Sequence, residues 1–123
     1  VVLNVVVERG ASLTLTTPAA TRIYRSRNGG AAKIEQTFAV HEGGTFEYFP
    51  EPLIPHAGAK ISQKTTLRAG EGSAAMLFEW LSPGRAACGE LFVFSEINWE
   101  TDFHCAGSLA ARERFTLLLM MTA

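Results

Sequence analysis

The glutamates Glu47, Glu51, Glu79 and Glu90 stand among apolar neighbours, in TFEYFP, PEPLIP, LFEWL and CGELFVF. A carboxylate in such surroundings needs a cation, a hydrogen-bond donor or water, because an isolated buried charge is costly. Arg22, Arg25 and Arg85 are the guanidinium partners the sequence offers. Two chemistries fit. In one, ion pairs satisfy an interior and fix strand register. In the other, carboxylates line a hydrated passage for a hard or borderline divalent cation, with Glu47, Glu79 and Glu90 as candidate metal contacts. A second feature is TLTTPAATRIYRSR, where hydroxyls alternate with a phenol and guanidinium groups. If Thr21 to Arg25 is extended, Thr21, Ile23 and Arg25 share one face, and Arg22 and Tyr24 the other. Neither face is purely apolar, so the stretch reads as a polar seam that needs partners.

Other chemistries lack their constellations. His41, His56 and His104 are dispersed, and no His-x-His or HExxH occurs, so a closed zinc site has no support. His41 precedes a glycine turn and reads as a solvated loop residue. Cys88, between Ala87 and Gly89, reads as a small buried hydrophobe rather than a metal ligand. Cys105 and His104 are adjacent and would point to opposite faces of a strand. There is no GxSxG, no phosphate-binding loop and no GxGxxG. Nucleotide chemistry is therefore not expected of this chain.

The elements that must position these residues are strands. The chain has 123 residues, 47% of them apolar and 19% charged, with a net charge of −1. This is a globular composition rather than a disordered one, and the absence of a basic field argues against nucleic-acid binding. The apolar run FTLLLMMTA is far short of the roughly 20 residues that span a bilayer, and VVLNVVVERG lacks a signal-peptide pattern, so no membrane partner is expected. Two cysteines make a reducing cytoplasm the default. The start in mid-strand without Met reads as a fragment. VVLNVVVERGASLTLTT, KIEQTFAVHEGGTFEYFP and KISQKTTLRAGEGSAAMLFEW each read as strand, glycine turn, strand, turning at Gly10, at Gly43-Gly44 and around Gly70. Phe38 and Val40 share a face, as do Phe46, Tyr48 and Pro50. Residues 73–81 and 108–119 are ambiguous between helix and strand. The expectation is one mainly β unit over residues 1–123, built of stacked hairpin layers, antiparallel or mixed, as a β-helix- or β-sandwich-like scaffold with little helix.

Three ordered blocks then carry a family resemblance. LTTPAATRIYRS, FEYFPEPLIPHAGAKISQKTTL and FEWLSPGRAACGELF follow one another at spacings that resemble the urease accessory protein family called UreD, or UreH in some organisms. The matches fall on Thr16 to Ser26, Phe46 to Ala59 and Gly84 to Glu90, and thin out after about Asn98. The resemblance implies a non-enzymatic assembly factor with no catalytic residues. Such a scaffold binds apo-urease and the accessory protein UreF, reaches the GTPase UreG through UreF, and assists nickel delivery to the urease metallocentre. GTP hydrolysis would belong to UreG, and Ni²⁺ would be transient, moving through a water-filled passage, rather than a tightly bound cofactor. Thr17, Thr21, Arg22, Tyr24, Arg25 and Ser26 match the first block, Glu47, Pro50 and Ile54 the second, and Gly84, Arg85, Gly89 and Glu90 the third. Thr17, Thr21, Arg22, Tyr24, Arg25, Glu47, Arg85 and Glu90 are thus the candidates for a polar network near a passage, with Arg25, Arg85 and Glu90 expected in one buried cluster. Family members are considerably longer at both ends. Phe46 replaces a usual Leu, Glu51 a common Gln, and His56, read as a surface substitution, an aromatic or apolar residue.

Two other readings compete. A structural β-solenoid or binding module would account for the glycine-turned layers but not for the arginine–tyrosine block or GRAACGE. A cupin-type metal enzyme would need clustered histidines that the sequence lacks.

Overall fold

The computed structural model describes residues 1–119; residues 120–123, the end of the FTLLLMMTA run, lie outside the described part. Alternating apolar and polar residues dictate strands throughout: β1 (Val2–Val7), β2 (Ser12–Thr16), β3 (Thr21–Ile23), β4 (Ala32–Val40), β5 (Thr45–Phe49), β6 (Leu53–Pro55), β7 (Lys60–Ala69), β8 (Ala74–Leu77), β9 (Glu96–Cys105) and β10 (Ser108–Leu118). Both ambiguous segments are thereby resolved, the first containing β8 and the second β10. No helix among the described residues is long and apolar enough to cross a membrane.

The expectation of a mainly β, layered scaffold holds, but the glycine turns after β1, β4 and β7 do not close hairpins. Up to β9, successive strands enter different sheets and pair with the strand one coil later; β9 and β10, joined through Ala106 and Gly107, form a hairpin. One sheet runs β1-β4-β7-β9-β10, a second β2-β5-β8, and a third β3-β6. The ladders are parallel except between β9 and β10. The glycine turns are corners of a coil. Gly10, Gly43 and Gly72 occupy equivalent corners with φ of 70°, 71° and 66°, a region that penalises any side chain. Gly72, not Gly70, is therefore the repeating residue. The corners are tied coil to coil, with the Gly10 amide donating to the Glu42 carbonyl at 3.1 Å and the Gly43 amide to that of Glu71 at 3.2 Å. Coil-to-coil pairing of this kind satisfies the backbone without requiring regular loop lengths.

Inside the coil, the strands stack like residue on like. Val5, Phe38, Leu67, Phe103 and Ala111 form one row across the large sheet, and Ala32, Ile61, Ile97 and Leu117 another. The apolar interior is divided. One cluster contains Val7, Phe38, Val40, Phe46, Tyr48 and Leu67; the other contains Ile23, Leu53, Ala59, Ile61, Phe94, Ile97 and Trp99. Between them runs the row Leu3, Gln36, Thr65, Thr101, Glu113.

Candidate functional site

Four of the five residues in that central row are polar, and they face inward. Gln36, Thr65 and Thr101 are buried, as is Gln63 in the neighbouring row. Buried polar groups must find partners, and these find one another. The Tyr48 hydroxyl donates to Gln36 Oε1 at 3.1 Å, and Gln36 Nε2 donates to Thr65 Oγ1 at 2.9 Å. Gln63 Nε2 donates to Glu79 Oε2 at 2.6 Å. Glu79 thus projects from the segment after β8 into the interior, closing the network from the opposite wall.

Two cavities adjoin this network. The larger, about 410 Å³, is lined at its mouth by Thr17, Thr21, Arg22 and Glu51 and deeper in by Gln36, Gln63 and Glu79. The smaller, about 250 Å³, is lined by Glu79, Thr101 and Glu113 with Trp99 and Phe115. Glu79 and Trp99 belong to both. Burial holds the Glu79 carboxyl above its ordinary range, the Gln63 and Gln36 amides pull it back down, and the Glu113 charge pushes it up. Burial likewise raises the Tyr48 phenol, with the Glu79 charge adding to it.

The sign of this shift makes a prediction. A carboxyl whose native pKa is raised favours the fold while protonated, and that contribution is lost as pH rises from the ordinary glutamate value of 4.5 through the raised native one. At neutral pH an ionised Glu79 opposes folding. Glu79→Gln is expected to stabilise the chain by about 1 kcal/mol at neutral pH, and the gap between the two melting temperatures should close as the solution is acidified. Glu90, Glu100 and Asp102 carry the opposite shift, lowered chiefly by hydrogen bonds from Arg85, Arg114 and Arg112, so their contribution is present at neutral pH and lost in acid. The comparison between parent and variant removes that common background.

The structure separates the candidate residues that the sequence grouped. Thr17, Thr21 and Arg22 lie at the mouth of the larger cavity. Thr17 also holds the fold together there: its hydroxyl accepts from the Glu51 amide at 2.8 Å, while Thr16 Oγ1 donates to the Phe49 carbonyl at 2.8 Å. The Thr-Thr-Pro corner is therefore bolted to the Phe-Pro-Glu corner one coil on. Glu47 and Glu51 are exposed rather than buried, and Glu47 accepts only a 3.4 Å contact from Thr14 Oγ1. Of the three candidate metal contacts, Glu79 alone points into the interior network.

Arg85 and Glu90 do meet, but on a surface loop, and Arg25 forms no ion pair with them. Arg85 Nε donates to Glu90 Oε1 at 2.9 Å, and its Nη2 pairs with Oε2. That fork closes the GRAACGE loop around a 3₁₀ turn, Ala86–Cys88, ended by Gly89 at φ 73°. Gly84, at φ 148°, is equally constrained, since a Cβ there would collide with the Glu90 carbonyl oxygen. Gly84→Ala is expected to cost about 2 kcal/mol or more in urea unfolding. The Ala57 amide reaches Glu90 Oε1 at 3.3 Å, and Tyr24 packs edge-on against His56 at 4.7 Å. His56 is half-buried, with Nε2 enclosed and lacking a hydrogen-bond partner, which corrects its reading as a surface substitution. Cys88 is exposed, because it lies on this loop rather than in the core.

The residues missed from sequence are Gln36, Gln63, Thr65, Thr101 and Glu113. Their signal lies in the alternation itself: Gln36 interrupts the apolar face Ile34, Phe38, Val40, and Gln63 and Thr65 interrupt the face Ile61, Leu67. Recognising it requires the coil-to-coil register, which a hairpin reading does not provide.

The family model described as UreD urease accessory protein matches residues 1–119. The chain is 36% identical over 111 residues to a urease accessory protein UreD of Opitutus terrae, covering 90% of this chain and 40% of that protein. It is 35% identical over 100 residues to one from Kocuria rhizophila (81% and 27%) and 38% identical over 82 residues to one from Yersinia enterocolitica (67% and 25%). The chain thus spans well under half the length of these relatives. With a match across all the described residues, the chain belongs to the UreD family of urease accessory proteins.

Proposed function

We propose that this chain acts in urease maturation as a non-catalytic scaffold, one that binds apo-urease and UreF in the cytoplasm and passes Ni²⁺ toward the urease metallocentre. UreG would join through UreF and supply GTP hydrolysis. Nickel is cargo here, not a resident cofactor. The observation that carries the transfer role is Glu79, an inward carboxylate shared by two cavities on a row of amides and hydroxyls. Oxygen donors with one or two charges suit a borderline divalent cation that must enter and leave. Among the described residues no cluster of three or more His, Cys, Asp or Glu side chains is placed to hold a metal ion; a cation at Glu79 would have Glu113 and neutral oxygens as its further neighbours. The binding role draws support from a ledge of exposed aromatics, with Phe49 6.3 Å from Phe78 and Phe78 5.0 Å from Trp80, of which Trp80 is 54% exposed. Exposed aromatic groups of this size are enriched at protein interfaces.

The structural-solenoid alternative leaves the inward polar row without a purpose, and a cupin-type centre lacks its ligand cluster. Co-purification tests the binding half of the proposal. The tagged protein, expressed with urease and its accessory proteins, is expected to retain UreF and apo-urease. Retention of neither, together with filament formation, would support the solenoid reading instead.

A further inference from the structure

On the β3–β4 side of the coil lies a depression of about 350 Å³ that the transfer role does not use. Its charged lining residues are Arg25, Arg27 and Lys60, and its hydroxyls are those of Ser26 and Ser95; among the described residues no carboxylate lines it. The ion pairs among the described residues engage Arg9, Lys64, Arg85, Arg112 and Arg114, and none of these three cations. In a chain with more acidic than basic side chains, gathering three unpaired cations around one depression is unfavourable unless an anion offsets their repulsion.

The walls are fixed before any ligand arrives. Gly58 sits at φ 75°, and a Cβ there would come within 3.0 Å of Arg25 Cδ, so the arginine stem lies across bare backbone. The Gly58 amide is anchored to the Val93 carbonyl at 2.9 Å, and the Ser95 amide to that of Ala59 at 2.8 Å. On the facing side, Asn28 Oδ1 is hydrogen-bonded to Ser26 Oγ and accepts from the Gly30 amide at 3.0 Å, which holds the Arg25–Gly30 loop.

We propose that this depression is a binding site for a phosphoryl group. Two guanidinium groups offer forked donors that match phosphate oxygens, and the Lys60 ammonium and the Ser95 hydroxyl add further donors. A carboxylate, with a single charge and two oxygens, would leave most of this positive charge unmatched. The phosphoryl group has two possible sources, free phosphate or a nucleotide. This inference is independent of the nickel passage.

Titrating the ¹⁵N-labelled chain with inorganic phosphate, and separately with ATP, tests it at low ionic strength. Phosphate is expected to shift the amides of Gly29, Gly30, Gly58 and Ser95. Joint Arg25→Gln and Arg27→Gln substitution should weaken binding about ten-fold or more, and Lys60→Gln alone should weaken it less, so the result does not rest on one variant's folding. Arg68→Gln, on the outer face of β7, should bind as the parent does. Tighter binding of ATP than of phosphate identifies a nucleotide as the source, and equal binding identifies free phosphate. Unchanged binding by the spectrally native double variant, shifts confined to other amides, or acetate or a glutamate-rich peptide binding as strongly as phosphate would each overturn the proposal.

Discussion

Glu79→Leu is expected to lower urease activation about ten-fold or more in cells that express urease with its accessory proteins, while UreF and apo-urease are still retained on co-purification. The magnitude follows from electrostatics. A charge contact near 4 Å is worth about 4 kcal/mol at an effective dielectric constant of 20, and losing even ~1.4 kcal/mol of it changes a rate or affinity ten-fold. Without Glu79, a cation that has passed Glu51 at the mouth would meet only the neutral oxygens of Gln36, Gln63 and Tyr48 before reaching Glu113. Glu79→Gln should fall between parent and Leu, because it preserves shape and the Gln63 contact but not the charge. The same logic gives a pH signature. As acidification protonates Glu79 through its raised pKa, the parent loses transfer capacity and converges on Glu79→Gln, measured as nickel per urease active site. A Glu79→Leu protein that matches the parent in nickel content would remove the passage from the account.

Phe38→Ala is expected to destabilise the fold by about 3–5 kcal/mol in urea unfolding. Phe38 is fully buried, and its ring lies 4.9 Å from that of Phe46 and 5.1 Å from that of Tyr48. It therefore joins the large sheet to the second sheet at the point where Tyr48 turns its hydroxyl toward Gln36. Parallel coil-to-coil ladders hold the backbone on either side, so the emptied volume cannot close by moving one strand alone. The loss should extend to the polar row, since the Tyr48 ring depends on Phe38 for its position. Phe38→Leu, which keeps most of the volume, should cost markedly less. Equal unfolding midpoints for Phe38→Ala and the parent would mean that the apolar cluster around Phe38 does not bear the fold.

Much of this architecture was legible in the sequence. Alternation put Phe38 with Val40 on one face and Phe46 with Tyr48 and Pro50 on another; the first four are buried and Pro50 is half-buried. The glycine turns and the absence of long helical periodicity specified a layered β scaffold. What alternation could not supply was connectivity, because a glycine turn between two strands looks alike whether it closes a hairpin or rounds a coil. That ambiguity obscured the site. In the hairpin reading Gln36 and Thr65 are unrelated polar residues; in the coil they are direct neighbours at register positions of β4 and β7. Charge type was a poor guide to burial for a related reason. Glu47 and Glu79 both sit among aromatics in sequence, but Glu47 falls on the outward parity of β5, whereas Glu79 follows β8 on the inward one. Of the cluster expected from Arg25, Arg85 and Glu90, only Arg85 and Glu90 meet, because they are five residues apart in a loop that closes on itself, a contact that needs no knowledge of the fold.

The most direct test of the passage uses the paramagnetism of Ni²⁺ itself. Titrating Ni²⁺ into the isotopically labelled chain should selectively broaden the side-chain amide signals of Gln36 and Gln63 and the methyl signals of Thr65 and Thr101, and Glu79→Gln should abolish that broadening. Broadening confined to the neighbourhoods of His41 and His104, with the Gln36 and Gln63 amides unaffected and Glu79→Gln without effect, would contradict the account.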